Sequence, residues 1–136
     1  MKYLLIIILG IFFADGSCRS SKDVAQIDGI RWRLHSLNGV EINRSGENDE
    51  MFIQFNTAEQ QVSGRAACNN FFGNYELERN RLRFYPMGAT RMTCPDLQIE
   101  QEFFAMLEIV DDYEVDNDEL RFLSKDLPVA VFKKAE

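Results

Sequence analysis

A chain of 136 residues, 46% hydrophobic and 27% charged, has room for one domain with its own core. Its formal net charge of -7 is spread along the sequence with no basic patch to offset it, which argues for solubility and against a nucleic-acid backbone as partner.

Residues 1–17 read as an export signal. After Lys2 an apolar run extends from Tyr3 to Ala14, the length of a signal-peptide core and well short of the ~20 residues that span a bilayer. The Asp15-Gly16-Ser17-Cys18 that follows resembles a bacterial lipobox, which makes Cys18 the lipidated first residue of the mature protein. Asp15 stands where the usual pattern has an apolar residue, and cleavage after Gly16, giving a secreted protein, is the alternative. Three cysteines in an exported chain leave one unpaired; lipidation of Cys18 removes the odd one and leaves Cys68 and Cys94 to form a disulfide. Closing that loop of about 27 residues is worth roughly 3.5 kcal/mol in chain entropy. The expected location is the bacterial cell envelope, anchored to a membrane by lipid and facing the periplasm.

Residues 18–28 are polar and patternless and are expected to be a tether, with the folded domain over 29–136. Ile30, Trp32 and Leu34 alternate with Arg31, Arg33 and His35, the period of a strand with one buried face, and Trp32 is expected to anchor the core. Asn38-Gly39 signals a turn, Glu41 to Glu50 a polar loop, and Met51 to Asn56 a second strand with Ile53 and Phe55 on one face. Val62, Gly64 and Ala66 form a third strand whose small residues invite close approach by a neighbour, and it delivers Cys68. Past Asn69 to Gly73, Tyr75 and Leu77 begin a hairpin that turns at Glu78 to Arg81 and returns through Leu82 and Phe84.

Pro86 to Ala89 breaks the strand pattern, and Thr90 to Cys94 is a loop. Pro95 and Asp96 open a helix, Pro tolerated in the first turn and Asp favoured at the positive end of the dipole. In that helix Ile99, Phe103, Met106, Leu107 and Val110 face inward, with Gln98, Glu100, Gln101, Glu102 and Glu108 outward. Tyr113 and Val115, then Leu120 and Phe122, alternate about Asn117-Asp118, and Val129 to Phe132 makes a last strand behind Pro128. The fold class is mainly β with one α-helix: a small antiparallel curled sheet or barrel covered by an amphipathic helix, since closure disposes of exposed edges.

Several motifs taken together resemble the META domain family, whose bacterial members include HslJ-like envelope lipoproteins. They are Trp32-x-Leu34 with Asn38-Gly39, Ser63-Gly64, Cys68-Asn69-x-Phe71-x-Gly73-x-Tyr75, Thr90-Arg91-Met92-x-Cys94, and the helix with its Glu and Phe residues. The resemblance covers nearly all of the mature chain. It implies a small β-rich envelope domain, often lipid-anchored, associated with stress or drug tolerance, with no established enzymatic mechanism.

The residues themselves contain no catalytic set. A nucleophilic Cys68 or Cys94 would need His35, the single histidine, as its base, but two cysteines that can pair and a histidine on an exposed strand face are the simpler reading. Cys68, Cys94 and His35 fit no zinc-ligand spacing, and Gly64, Gly73 and Gly88 form no phosphate loop. The Asp111-Asp112 and Glu100-Glu102 pairs read as solvated surface. No cofactor is expected. Arg91 either binds an anion or ties down carbonyls or a carboxylate, and Asn69 bonds turn backbone. The expectation is therefore a non-enzymatic envelope lipoprotein that engages another envelope component. The alternatives are a small-ligand binding module at the sheet mouth around Phe71, Phe72, Asn69 and Arg91, and an inhibitor of an exported hydrolase.

Overall fold

Alternating apolar residues become strands here because one face of each can be hidden on a shared interior, and a sheet that closes on itself hides all of those faces at once. In a computed structural model, which describes residues 26–136 apart from positions 45, 47, 48 and 86, the strands are β1 (Arg31–Leu37), β2 (Val40–Glu41), β3 (Phe52–Asn56), β4 (Gln61–Ala66), β5 (Asn69–Glu78), β6 (Arg81–Phe84), β7 (Gly88–Ala89), β8 (Asp112–Asp116), β9 (Glu119–Ser124) and β10 (Leu127–Lys134). The helix α1 (Leu97–Ile109) lies between β7 and β8. The expected export signal and Cys18 lie outside the described residues.

Antiparallel pairing runs β1-β3-β4-β5-β6-β8-β9-β10 and returns from β10 to β1, a closed barrel of eight strands. The short β2 and β7 are additions, on β1 and β5. The interior is filled, not hollow. Trp32, Ile53, Phe55, Phe71, Phe122 and Phe132 are all 0–1% exposed. Phe55 meets Tyr75 edge-on at 5.0 Å and Phe122 packs on Phe132 at 4.9 Å. Each fully buried aromatic contributes roughly 2–3 kcal/mol, so this cluster is the main source of stability.

Small departures from regular pairing explain the burial pattern. The β1–β10 register slips between Leu34 and Ser36, and that bulge moves Leu37 onto the inner face alongside Trp32 and Leu34. A second slip between Pro128 and Ala130 lets proline sit inside β10. Asn38 and Gly39, with φ of 50° and 80°, make the two-residue turn that joins β1 to β2. At Gly64 an added Cβ would strike the Phe52 carbonyl and come within 2.7 Å of Phe71 Cζ, so the absent side chain makes room for a core ring.

The domain starts earlier than expected. Ile27 is fully buried, its carbonyl accepts from Trp32 Nε1 at 3.4 Å, and Asp28 bridges to Phe55, so the last two residues of the expected tether belong to the folded body. Asp28 also accepts from the Thr57 N–H at 2.8 Å, a bond that holds its carboxyl below the usual range. A single apolar residue in a polar run has no periodicity to announce it. The segment Asn69 to Gly73, expected to precede a strand, is the first half of the ten-residue β5.

The helix buries Phe103, Met106 and Leu107 as anticipated, and the buried Val110 follows its last turn. It lies beside the weakest seam of the barrel, where β6 and β8 share the single ladder pair Arg81 and Asp112, supplemented by the Leu82 N–H donating to the Asp111 carbonyl at 3.1 Å. Phe103 reaches Phe71 of β5 at 5.5 Å and joins the helix to the interior.

Candidate functional site

The strands β4 and β5 are joined by the tight turn Ala67-Cys68, with Ala66 paired to Asn69. Ala67 adopts a φ of 51°, a left-handed conformation that costs an alanine roughly 1–2 kcal/mol and persists only where the surroundings enforce it. Three restraints do so. Cys68 is joined to Cys94, with a Cα separation of 6.3 Å. Glu100, in the first turns of α1, accepts through Oε2 from the N–H groups of Cys68 (3.1 Å) and Asn69 (2.9 Å). Its Oε1 accepts from Asn69 Nδ2 at 2.7 Å.

Asn69, 2% exposed, uses its whole side chain. Nδ2 donates to Glu100 and to the Met92 carbonyl (3.2 Å), while Oδ1 accepts from Thr90 Oγ1 (2.8 Å) and the Met92 N–H (2.7 Å). Thr90 Oγ1 in turn accepts from the Asn70 N–H at 3.1 Å. The turn, the Thr90–Cys94 loop and the helix are thus tied by one polar network and one covalent bond.

Burial of Glu100 corrects the reading that placed it with Glu102 on the solvated face; it is 6% exposed. Its spacing carried a signal, since Glu100, Phe103 and Leu107 fall on one helical stripe and an acid within such a stripe needs partners. Asn69 bonds loop backbone as expected. Asp96 makes no cap bond with its side chain and instead pairs with Arg44 at 2.8 Å.

The remaining candidates separate. Phe71 is 1% exposed and part of the core, so it makes no ligand contact, whereas its neighbour Phe72 is 65% exposed on the opposite face of β5. Strand alternation therefore puts the two rings on opposite faces of the sheet. Arg91 is exposed and makes no hydrogen bond or ion pair among the described residues, so it does not tie down the loop. Met92 (56% exposed) and Thr93 point outward beside it. The network holds the loop from behind and leaves these three side chains unengaged.

Other surface features are already internally matched. A cleft lined by Arg31, Arg33 and Arg44 contains Glu50, which pairs with Arg31 at 3.0 Å and with Arg33, and Arg31 also lies over the Phe52 ring at 3.7 Å. Among the described residues no three His, Cys, Asp or Glu side chains converge as a metal site. His35 is half-buried at the β1 bulge, and both described cysteines are consumed by their bond.

Two solved structures share this fold. One, an NMR structure of a protein from Burkholderia xenovorans, superposes with a TM-score of 0.67 at 21% identity, covering 82% of this chain and 86% of the other. A second NMR structure gives a TM-score of 0.63 at 23% identity, covering 81% and 92%. No functionally curated protein matches the chain. The sequence model of the META domain matches residues 25–136, beginning just before the buried Ile27, and the chain belongs to the META domain family.

Proposed function

We propose that this chain is a non-enzymatic, lipid-anchored protein of the bacterial envelope that docks another envelope protein through the loop Thr90–Cys94. The supporting observation is the asymmetry of that loop. A saturated buried asparagine, a buried glutamate and a disulfide hold its backbone, while Arg91, Met92 and Thr93 face solvent. Arg and Met are enriched at protein interfaces, and a backbone fixed before binding loses less entropy on docking. Envelope location rests on the export signal and Cys18, and the family resemblance adds a role in stress or drug tolerance. An inhibitor of an exported hydrolase is a second reading that uses the same pre-formed loop.

A photo-crosslinker placed at Met92 in intact cells should capture one discrete protein partner, and Arg91→Glu should weaken that adduct without changing the melting temperature. A hydrolase as the captured partner would favour the inhibitor reading. The same adducts from a crosslinker at Asp118, on the β8–β9 turn, would mark the capture as non-specific and remove the docking role. Cys18→Ser should release the protein from the membrane fraction with its fold intact. Mature protein beginning at Ser17 without acyl mass would instead establish plain secretion.

A further inference from the structure

We propose that the outer face of β3, β4 and β5 is a binding site for a neutral glycan chain, seated on the Phe72 ring and hydrogen-bonded by Gln61, Ser63 and Asn74. The barrel register places these side chains on two successive rungs. Gln54, Ser63, Phe72 and Gly88 are consecutive cross-strand neighbours, and Asn56, Gln61 and Asn74 form the next rung. Neighbouring strands are about 4.8 Å apart, so the two rungs form a flat lattice of polar side chains around one ring. The groove encloses about 580 Å³, within the range of small-ligand sites.

Its chemistry sets it apart from the rest of the surface. In a chain with 27% charged residues, no charged side chain lines this groove. Arg31, next on the first rung, is drawn away onto Phe52 and Glu50. Glu59 is bonded to Asn56 of the second rung, and a phosphate or carboxylate ligand would find no cation lining the groove, which disfavours anionic ligands.

Phe72 is 65% exposed in the middle of these polar groups. Its ring rests over Gly88, where an added Cβ would lie 2.7 Å from Phe72 Cζ, so a glycine is what allows the ring to lie down on the sheet. A pyranose has a C–H-rich face that packs on such a ring and a rim of hydroxyls that both donate and accept. Amides and a serine hydroxyl likewise do both. Asn56 is already tied to Glu59, and Gln54 Nε2 donates to the Gly29 carbonyl at 3.2 Å. The side chains of Gln61, Ser63 and Asn74 make no hydrogen bond to other described residues and remain available.

The groove approaches the Thr90–Cys94 loop at Gly88 but uses none of its exposed side chains, so Phe72→Ala tests this site and Arg91→Glu tests the docking proposal. Purified protein would be titrated with chitotetraose, cellotetraose and maltotetraose while amide NMR shifts are followed. At least one sugar should shift Ser63, Phe72 and Asn74 saturably and leave the Met92 amide in place. Phe72→Ala should weaken that binding about tenfold with an unchanged melting temperature, and Asn74→Ala should weaken it to a smaller extent. Arg91→Glu should have no effect. Absence of saturable shifts with all three sugars, or binding that survives Phe72→Ala, would overturn the proposal.

Discussion

The barrel interior and the clasp around Asn69 solve opposite problems with opposite chemistry. The interior is apolar, assembled from residues far apart in sequence, and tolerant in its details, because dispersion and burial are non-directional. The clasp is polar and directional. Asn69 and Glu100 must meet named donors and acceptors at 2.7–3.2 Å, and a misplaced partner would leave a buried group unpaired. The barrel secures the fold, and the clasp secures the position of one loop upon it.

The largest effect should come from the interior. Trp32→Ala, or Phe103→Ala at the helix seam, should cost about 3–5 kcal/mol by opening a cavity, measured by denaturant unfolding, while Glu102→Ala on the exposed helix face should cost little. Equal small effects at Phe103 and Glu102 would break the distinction between the helix faces. Next comes the covalent bond. Reduction, or Cys68→Ala with Cys94→Ala, should lower stability by about 2–4 kcal/mol yet leave a folded barrel, because the aromatic core does not depend on the bridge. Free-thiol titration of the native protein should find both cysteines unreactive.

Glu100→Ala should cost about 2–3 kcal/mol, since it strands the Cys68 and Asn69 N–H groups and one amide proton of Asn69. Glu100→Gln keeps the size but replaces one acceptor oxygen with a donor group, so its loss should be smaller and confined to the loop. The smallest effect is alkaline. Burial raises the Tyr75 hydroxyl above its ordinary 10.0, so as pH rises past about 10 the unfolded chain ionises while the folded chain stays protonated, and stability falls. Tyr75→Phe should flatten that decline, which a pH series of melting temperatures would register.

The two regions also differed in how far the sequence disclosed them. Strand alternation at Trp32, Ile53, Phe55 and Phe122 and the helical stripe at Phe103, Met106 and Leu107 were legible because burial imposes a period. The Cys68–Cys94 pair was legible through cysteine number, with Cys18 set aside by the expected export signal. Glu100 was misassigned because an acidic side chain on a helix is normally solvated, and only its place in the stripe with Phe103 hinted otherwise. The buried Phe71 and exposed Phe72 were indistinguishable until β5 was seen to begin at Asn69, which set the phase of alternation. Ile27, one apolar residue without repeats, had no phase at all.

The central claim is that the polar clasp positions the Thr90–Cys94 loop and does not hold up the barrel. Amide hydrogen exchange in the wild type and in Glu100→Ala tests it most directly. The account predicts that Met92 and Asn70, bonded to Asn69 Oδ1 and Thr90 Oγ1, are protected in the wild type and exchange rapidly in the variant, while Ile53 and Phe122 stay protected in proportion to the global stability that remains. Met92 exchanging freely in the wild type, or retaining full protection in Glu100→Ala, would contradict it.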